Sequence, residues 1–223
     1  MRHYNSSTPA DWKLYVIIDR AASGDRDLAD VAAAAIRGGA DVLQFRDKTA
    51  SARAFMKEAE RLLSVARRAN VPLIINDRVE VALAVGADGV HLGQEDLPLA
   101  ATRRILGPGR LIGQSTHSLD QARAASAGGA DYIGFGPVFP TPTKPDYGSV
   151  GTALIGQVMQ AVRIPVVCIG GIDAGNVEQV VHAGAERIAV VRAVCAAADP
   201  ESAARDLKQT LEQFHRQPSA TNL

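Results

Sequence analysis

Aromatic side chains are scarce in this sequence, at 4% of its 223 residues. So few rings exclude the stacking platforms on which single-stranded nucleic acids are bound. Charge of one sign is not in excess either, since Lys+Arg and Asp+Glu each number 24. A balanced chain has no general attraction for nucleic acid or an anionic membrane, so any anion must be held by a few placed cations. No apolar run approaches the roughly 20 residues that cross a bilayer. The opening stretch MRHYNSSTPADW contains no apolar signal-peptide core. The only cysteines, Cys168 and Cys195, form neither a CxxC pair nor a metal-ligand cluster. Both lie in apolar stretches and read as buried thiols in a reducing, cytoplasmic setting.

What remains is ordinary globular material, 47% apolar and 22% charged, of a length for one domain with a full core. Short β-branched runs alternate with longer Ala-rich, helix-period stretches. The strand candidates are 14–19, 41–45, 72–76, 89–92, 111–115, 132–135, 166–169 and 187–191. Helical segments between them include 28–37, 52–69, 119–127 and 176–183, and a last one over 201–214 starts at Asp199-Pro200. Eight strands with eight helices make a single (β/α)8 barrel, the TIM barrel, spanning the chain. Its ordered core is expected over about 13–215, with tails at 1–12 and 216–223. An open doubly wound sheet is the competing architecture and would need a reversal of strand order.

A repeat supports the barrel. Gly-Ala-Asp, or a near copy, recurs at Gly39-Ala40-Asp41, Gly86-Ala87-Asp88, Gly129-Ala130-Asp131 and Gly184-Ala185-Glu186, with acids 47, 43 and 55 residues apart. Each copy stands where a helix stops and a strand begins, and glycine there supplies a left-handed cap. Evenly spread copies suggest four quarter-barrels of similar build.

In such barrels chemistry sits at the C-terminal strand ends, and polar residues collect there. The second strand ends in Gln44, Arg46 and Lys48, which alternation puts on one face as a donor array for a polyanion. The third and fourth run into Asn76-Asp77 and Gly93-Gln94-Glu95-Asp96. Carboxylates from adjacent strands suit a hard cation such as Mg²⁺, although either aspartate could instead cap the following helix. The fifth strand brings Ser115 to the mouth, then His117, an acid/base group or a structural imidazole, and Ser118, a helix cap. His91, within the fourth strand, reads as packed or supporting. After the sixth strand, four prolines in nine residues stiffen a loop carrying Thr141, Thr143 and Lys144, which reads as a lid or phosphate clamp. Lys144 is too exposed for a Schiff-base lysine. Gly170-Gly171 ends the seventh strand and Val191-Arg192 the eighth, the pair of loops that often hold a phosphate in barrels.

Mg²⁺ on Asp77 and Asp96 would be neutral. Arg46, Lys48 and Lys144 would then supply three positive charges against the roughly three negative ones of a pyrophosphate ester.

The stretches QFRDK, NDR, GVHLGQEDLP, STHS, GFGPVFPTPTKP and IGGI, in this order, resemble thiamine-phosphate synthases (thiamine-phosphate pyrophosphorylases) from about residue 14 to 214. That resemblance implies a Mg²⁺-dependent transferase of thiamine biosynthesis. It would join a pyrimidine-methyl diphosphate to a thiazole ethyl phosphate and release pyrophosphate. It also implies that Gln44, Arg46, Lys48 and Asn76 hold the pyrimidine diphosphate and that Asp77 and Asp96 hold the metal. Ser115 and Lys144 would touch the diphosphate. Arg46, Lys48, Ser115 and Lys144 would be the catalytic groups. Thr141, Thr143, Gly171, Val191 and Arg192 would bind the thiazole phosphate. Arg192 departs from the serine that many members carry. Two other readings stand beside it: a homologous thiazole tautomerase using His117, and a non-catalytic phosphate-ligand sensor. The expected partners are small molecules, not nucleic acid or membrane, with a homo-oligomer open.

Overall fold

The computed structural model describes residues 8–141 and 148–216. Its strands are β1 (Leu14–Asp19), β2 (Val42–Arg46), β3 (Leu73–Asn76), β4 (Gly89–Leu92), β5 (Leu111–Thr116), β6 (Tyr132–Phe135), β7 (Val166–Ile169) and β8 (Ile188–Val190). All pair in parallel, and β8 closes on β1, so the sheet is a barrel with no edges. The doubly wound alternative falls with that closure.

Among the described residues ten helices surround it. They are α1 (Arg20–Ser23), α2 (Leu28–Arg37), α3 (Ala52–Arg68), α4 (Val79–Val85), α5 (Leu99–Leu106), α6 (Leu119–Ala127), α7 (Ile155–Ala161), α8 (Val177–His182), α9 (Arg192–Cys195) and α10 (Pro200–Arg216). The count exceeds eight because α1 and α9 are single turns, too short for a 3.6-residue period to show. The longer helices follow their sequence cues. In α3 the buried residues Phe55, Ala59, Leu62, Leu63 and Ala66 make one stripe. Ser51 caps α3 and Ser118 caps α6, each accepting from a first-turn amide. Asp199 does the same for α10.

The repeat has a physical basis. Gly39, Gly86, Gly129 and Gly184 all have positive φ, between 71° and 102°, which turns the chain from helix into strand without a Cβ clash. The acid that follows ties an even strand to the odd strand before it. Asp41 accepts from the amides of Lys13 and Leu14, Asp88 from Leu73, and Asp131 from Ile112. Asp41 therefore stands just ahead of β2, which opens at Val42, one residue later than expected. Glu186, longer by a methylene, breaks the pattern and pairs with Arg187.

Two apolar cores result. The larger lies between strands and helices. The smaller fills the barrel, where Trp12, Tyr15, Ile17, Val42, Ile74, Tyr132, Val167 and Ala189 pack together. Of the tail expected over 1–12, the described residues 8–12 are packed onto the barrel. Trp12 is 1% exposed and packs edge-on against both Tyr15 and Tyr132, while Arg187 donates to the carbonyls of Pro9 and Ala10. A large apolar ring beneath the barrel is worth too much buried area to fray.

Candidate active site

The C-terminal strand ends open into a cavity of about 740 Å³. Gln44, Arg46, Lys48, Asn76, Asp77, Asp96, Ser115, Thr141, Gly171, Val191 and Arg192 all line it. Every expected site residue within the described part of the chain is thus brought to one place. Thr143 and Lys144 lie outside the described residues.

On β2 the alternating register turns Gln44 and Arg46 inward together. Gln44 sits opposite Ile17, and Arg46 opposite Asp19. Arg46 forms an ion pair with Asp19, and both side chains are largely buried. Asp19 backs the site through Arg46 without lining the cavity, a partner the sequence reasoning missed, although its place at the last position of β1 is the same strand-end signal that marked the others. It also corrects the expected charge balance, because the positive charge of Arg46 is already met from within the protein.

Lys48, two residues beyond β2, is ion-paired with Asp77. Asp77 takes φ 61°, a left-handed backbone that aspartate tolerates better than most residues. Asn76 donates to its other carboxylate oxygen. Its carboxyl is held above the usual range chiefly by burial. Lys48 pulls it down, and Asp96, within hydrogen-bonding reach, pushes it up again. Asp96 itself folds back to accept from the Gly93 amide at 2.6 Å. The capping alternative fails for both aspartates, because α4 and α5 begin after Arg78 and Pro98 with no side-chain cap.

Two carboxylates lining one cavity, close enough for Asp96 to raise the Asp77 carboxyl, form a donor set that a hard divalent cation would relieve. Among the described residues no group of three or more His, Cys, Asp or Glu is built to hold a metal. A pair suits Mg²⁺, which keeps several positions for water and phosphate oxygens.

The histidines separate cleanly. The Nδ1 of His117 contacts the carbonyl of Gly136. A carbonyl only accepts, so Nδ1 carries the proton and the ring braces the loop after β6. His91 Nε2 meets Ser115 Oγ at 3.0 Å, which makes it a support of that hydroxyl. Gln94 donates to the Ser115 carbonyl at 2.6 Å. The described part of the proline-rich loop is strapped to β7, with Val138 donating to Ile169 and Phe139 to Gly170. Gly171 has φ 64°, and a Cβ there would press on Pro140 and Phe139. Arg192 is exposed at the rim. Both cysteines are buried, as expected, and burial pushes the Cys168 thiol up to about 12. Among the described residues no helix is long and apolar enough to cross a membrane.

Comparison with known proteins points one way. The family model described as Thiamine monophosphate synthase matches residues 14–194. A thiamine-phosphate synthase from Roseiflexus castenholzii is 50% identical over 195 residues, 87% of this chain and 86% of the relative. One from Chloroflexus aurantiacus is 51% identical over 199 residues, 89% of this chain and 92% of the relative. Among solved structures, a thiamine phosphate pyrophosphorylase from Pyrococcus furiosus superposes with a TM-score of 0.85 at 38% identity, covering 92% of this chain and 98% of that one.

Proposed function

Because the chain belongs to the thiamine monophosphate synthase family, as an enzyme of thiamine biosynthesis, we propose how its cavity performs the synthase reaction. The substrates are a pyrimidine-methyl diphosphate and a thiazole ethyl phosphate, and the products are thiamine phosphate and pyrophosphate. The observation that carries this reading is the meeting of Asp77 and Asp96 beside Lys48 at the cavity mouth.

The carbon–oxygen bond to the diphosphate breaks first, and its electron pair leaves on the diphosphate. The methylene cation left behind is stabilised by the pyrimidine, and the thiazole nitrogen then attacks it to form the carbon–nitrogen bond. No covalent nucleophile is required; the protein must neutralise the departing charge and hold two fragments together. Arg46, Lys48, Asn76 and Ser115, from the ends of β2, β3 and β5, would donate to the diphosphate, and Lys144, outside the described residues, would add a further positive charge. Asp19 keeps Arg46 extended toward the cavity and lowers its net contribution of charge. Gln44 sits deeper, where it orients the pyrimidine. A Mg²⁺ held by Asp77 and Asp96 would supply further positive charge to the leaving group.

Thr141, Thr143 and the backbone at Gly171, Val191 and Arg192 take the thiazole phosphate. The Arg192 guanidinium adds a charged contact there, so Arg192→Ala raises the KM for the thiazole phosphate, and an unchanged KM removes that contact from the scheme. A cytoplasmic setting goes with the reading, since both thiols are buried and unpaired by disulfide. In the tautomerase alternative His117 would carry the proton on Nε2, since Nδ1 is held by the Gly136 carbonyl, and the assay below separates the two readings.

The test is to mix both substrates with and without Mg²⁺ and follow pyrophosphate. Product that needs Mg²⁺ and vanishes in Asp96→Ala supports the synthase. Isomerisation of the thiazole without pyrophosphate would overturn it.

A further inference from the structure

We infer that Tyr132 and His91 are positioning residues, members of a directed line of five side chains that turns the Ser115 hydroxyl hydrogen toward the cavity's anionic ligand. What Ser115 touches rests on the reading above, whereas the line itself lies wholly within the protein. Gln44 Nε2 donates to the Tyr15 hydroxyl at 2.7 Å. Tyr15 and Tyr132 share a hydrogen bond between hydroxyls at 3.0 Å. The Tyr132 hydroxyl meets His91 Nδ1 at 3.2 Å, and His91 Nε2 meets Ser115 Oγ at 3.0 Å. The five side chains come from β2, β1, β6, β4 and β5, so the line crosses the barrel.

Its direction follows from the chemistry of the ends. An amide nitrogen can only donate, so the Tyr15 oxygen receives and its one proton goes to Tyr132. Tyr132 then gives its own proton to His91 Nδ1, which must be bare to accept it. A neutral imidazole with Nδ1 bare carries its proton on Nε2, the nitrogen facing Ser115. Ser115 Oγ accepts there, and its hydrogen is left to point into the cavity. Burial pushes both phenols above the ordinary tyrosine range, so each keeps the proton the line requires.

The surrounding backbone is cut to fit. Gly113 stands opposite both His91 and Tyr132 in register. A Cβ there would land on the Tyr132 ring and 2.6 Å from His91 Nδ1, between the two atoms that bond. At Gly134 a Cβ would lie 3.2 Å from His91 Cε1. Two inward positions are therefore empty of side chain where the line passes. A fixed donor aimed at an oxygen that gains negative charge strengthens as the bond to the leaving group breaks.

Two measurements decide it. In the full-length protein without substrate, two-bond ¹H–¹⁵N correlations of the His91 ring, assigned by their loss in His91→Gln, should show Nε2 protonated and Nδ1 bare. A proton on Nδ1 instead overturns the inference. In kinetics, Tyr132→Phe should lower kcat/KM for the pyrimidine diphosphate about tenfold, the scale of one lost buried hydrogen bond. In a Ser115→Ala background the same change should cost less than about twofold, because the end of the line is already gone. Equal costs in both backgrounds would mean that Tyr132 acts independently of Ser115, and the inference fails. Should Tyr132→Phe not fold, the ring-nitrogen result on the unaltered protein decides alone. A protein that shows the expected tautomer yet makes no thiamine phosphate would sink the synthase reading and uphold the line.

Discussion

Lys48 and Asp77 are ion-paired at the ends of adjacent barrel strands, so one of the two carboxylates proposed to hold the metal carries a counter-charge built into the protein. Lys48 works against burial and Asp96, both of which favour the protonated acid. Lys48→Met should therefore raise the Asp77 carboxyl further. With Mg²⁺ below saturation, the acid limb of the kcat/KM profile for the pyrimidine diphosphate moves to higher pH. An unmoved limb would show that Asp77 does not govern activity.

The same carboxyl carries a cost in stability. Its folded-state value lies above its unfolded one, so its contribution favours folding at low pH and is lost as pH climbs through the raised value. At pH 7, without divalent cation, Asp77→Asn should raise the melting temperature by about 2–4 °C, the shift expected for roughly 1 kcal/mol in a domain of this size. Asparagine accepts the left-handed backbone at this position, so the exchange adds no strain. Mg²⁺ should stabilise the unaltered protein and leave the variant unchanged. Calorimetry with and without Mg²⁺ reads both effects, and equal Mg²⁺ responses would contradict the assignment.

The acids of the repeat should divide by what they bind. Asp41 takes the Lys13 and Leu14 amides and the Lys208 ammonium. Asp41→Ala leaves these groups without their acceptor and should cost about 3 kcal/mol in urea unfolding. Among the described residues the half-exposed Glu186 pairs with the neighbouring Arg187, and Glu186→Ala should cost less than about 1 kcal/mol. Similar losses at the two positions would refute the strand-tying role.

Burial of Trp12, Cys168 and Cys195 gives a spectroscopic and a chemical check. The single tryptophan should emit at short wavelength in the native protein and shift red on unfolding. Neither thiol should react with an aromatic disulfide reagent at pH 8 until denaturant is added, since burial disfavours the reactive thiolate at both. Prompt labelling of either cysteine would contradict the packing described.

The sequence made the barrel readable because its strands are short β-branched runs punctuated by the glycine-acid repeat, and that local chemistry is what closes each unit. The cavity rim was readable for a related reason: residues such as Arg46, Asp77 and Asp96 stand at strand ends, where polar side chains have no core to fill. Tyr15 and Tyr132 were not readable as polar participants. Each sits in an apolar run whose local pattern suits a core ring, and only the register across β1, β2, β5 and β6 reveals that both hydroxyls face inward. Asp19 lay between the two cases, recognisable by position but indistinguishable from a strand terminator until Arg46 was placed beside it. The helices α1 and α9 are too brief for any periodic signal.

Trp12, wedged under the two tyrosines, gives the chamber a solid floor. Among the described residues the cavity opens at the C-terminal strand ends, on the side away from Trp12. A reactant seated against the tyrosines is then expected to load before its companion, which product-inhibition kinetics would read.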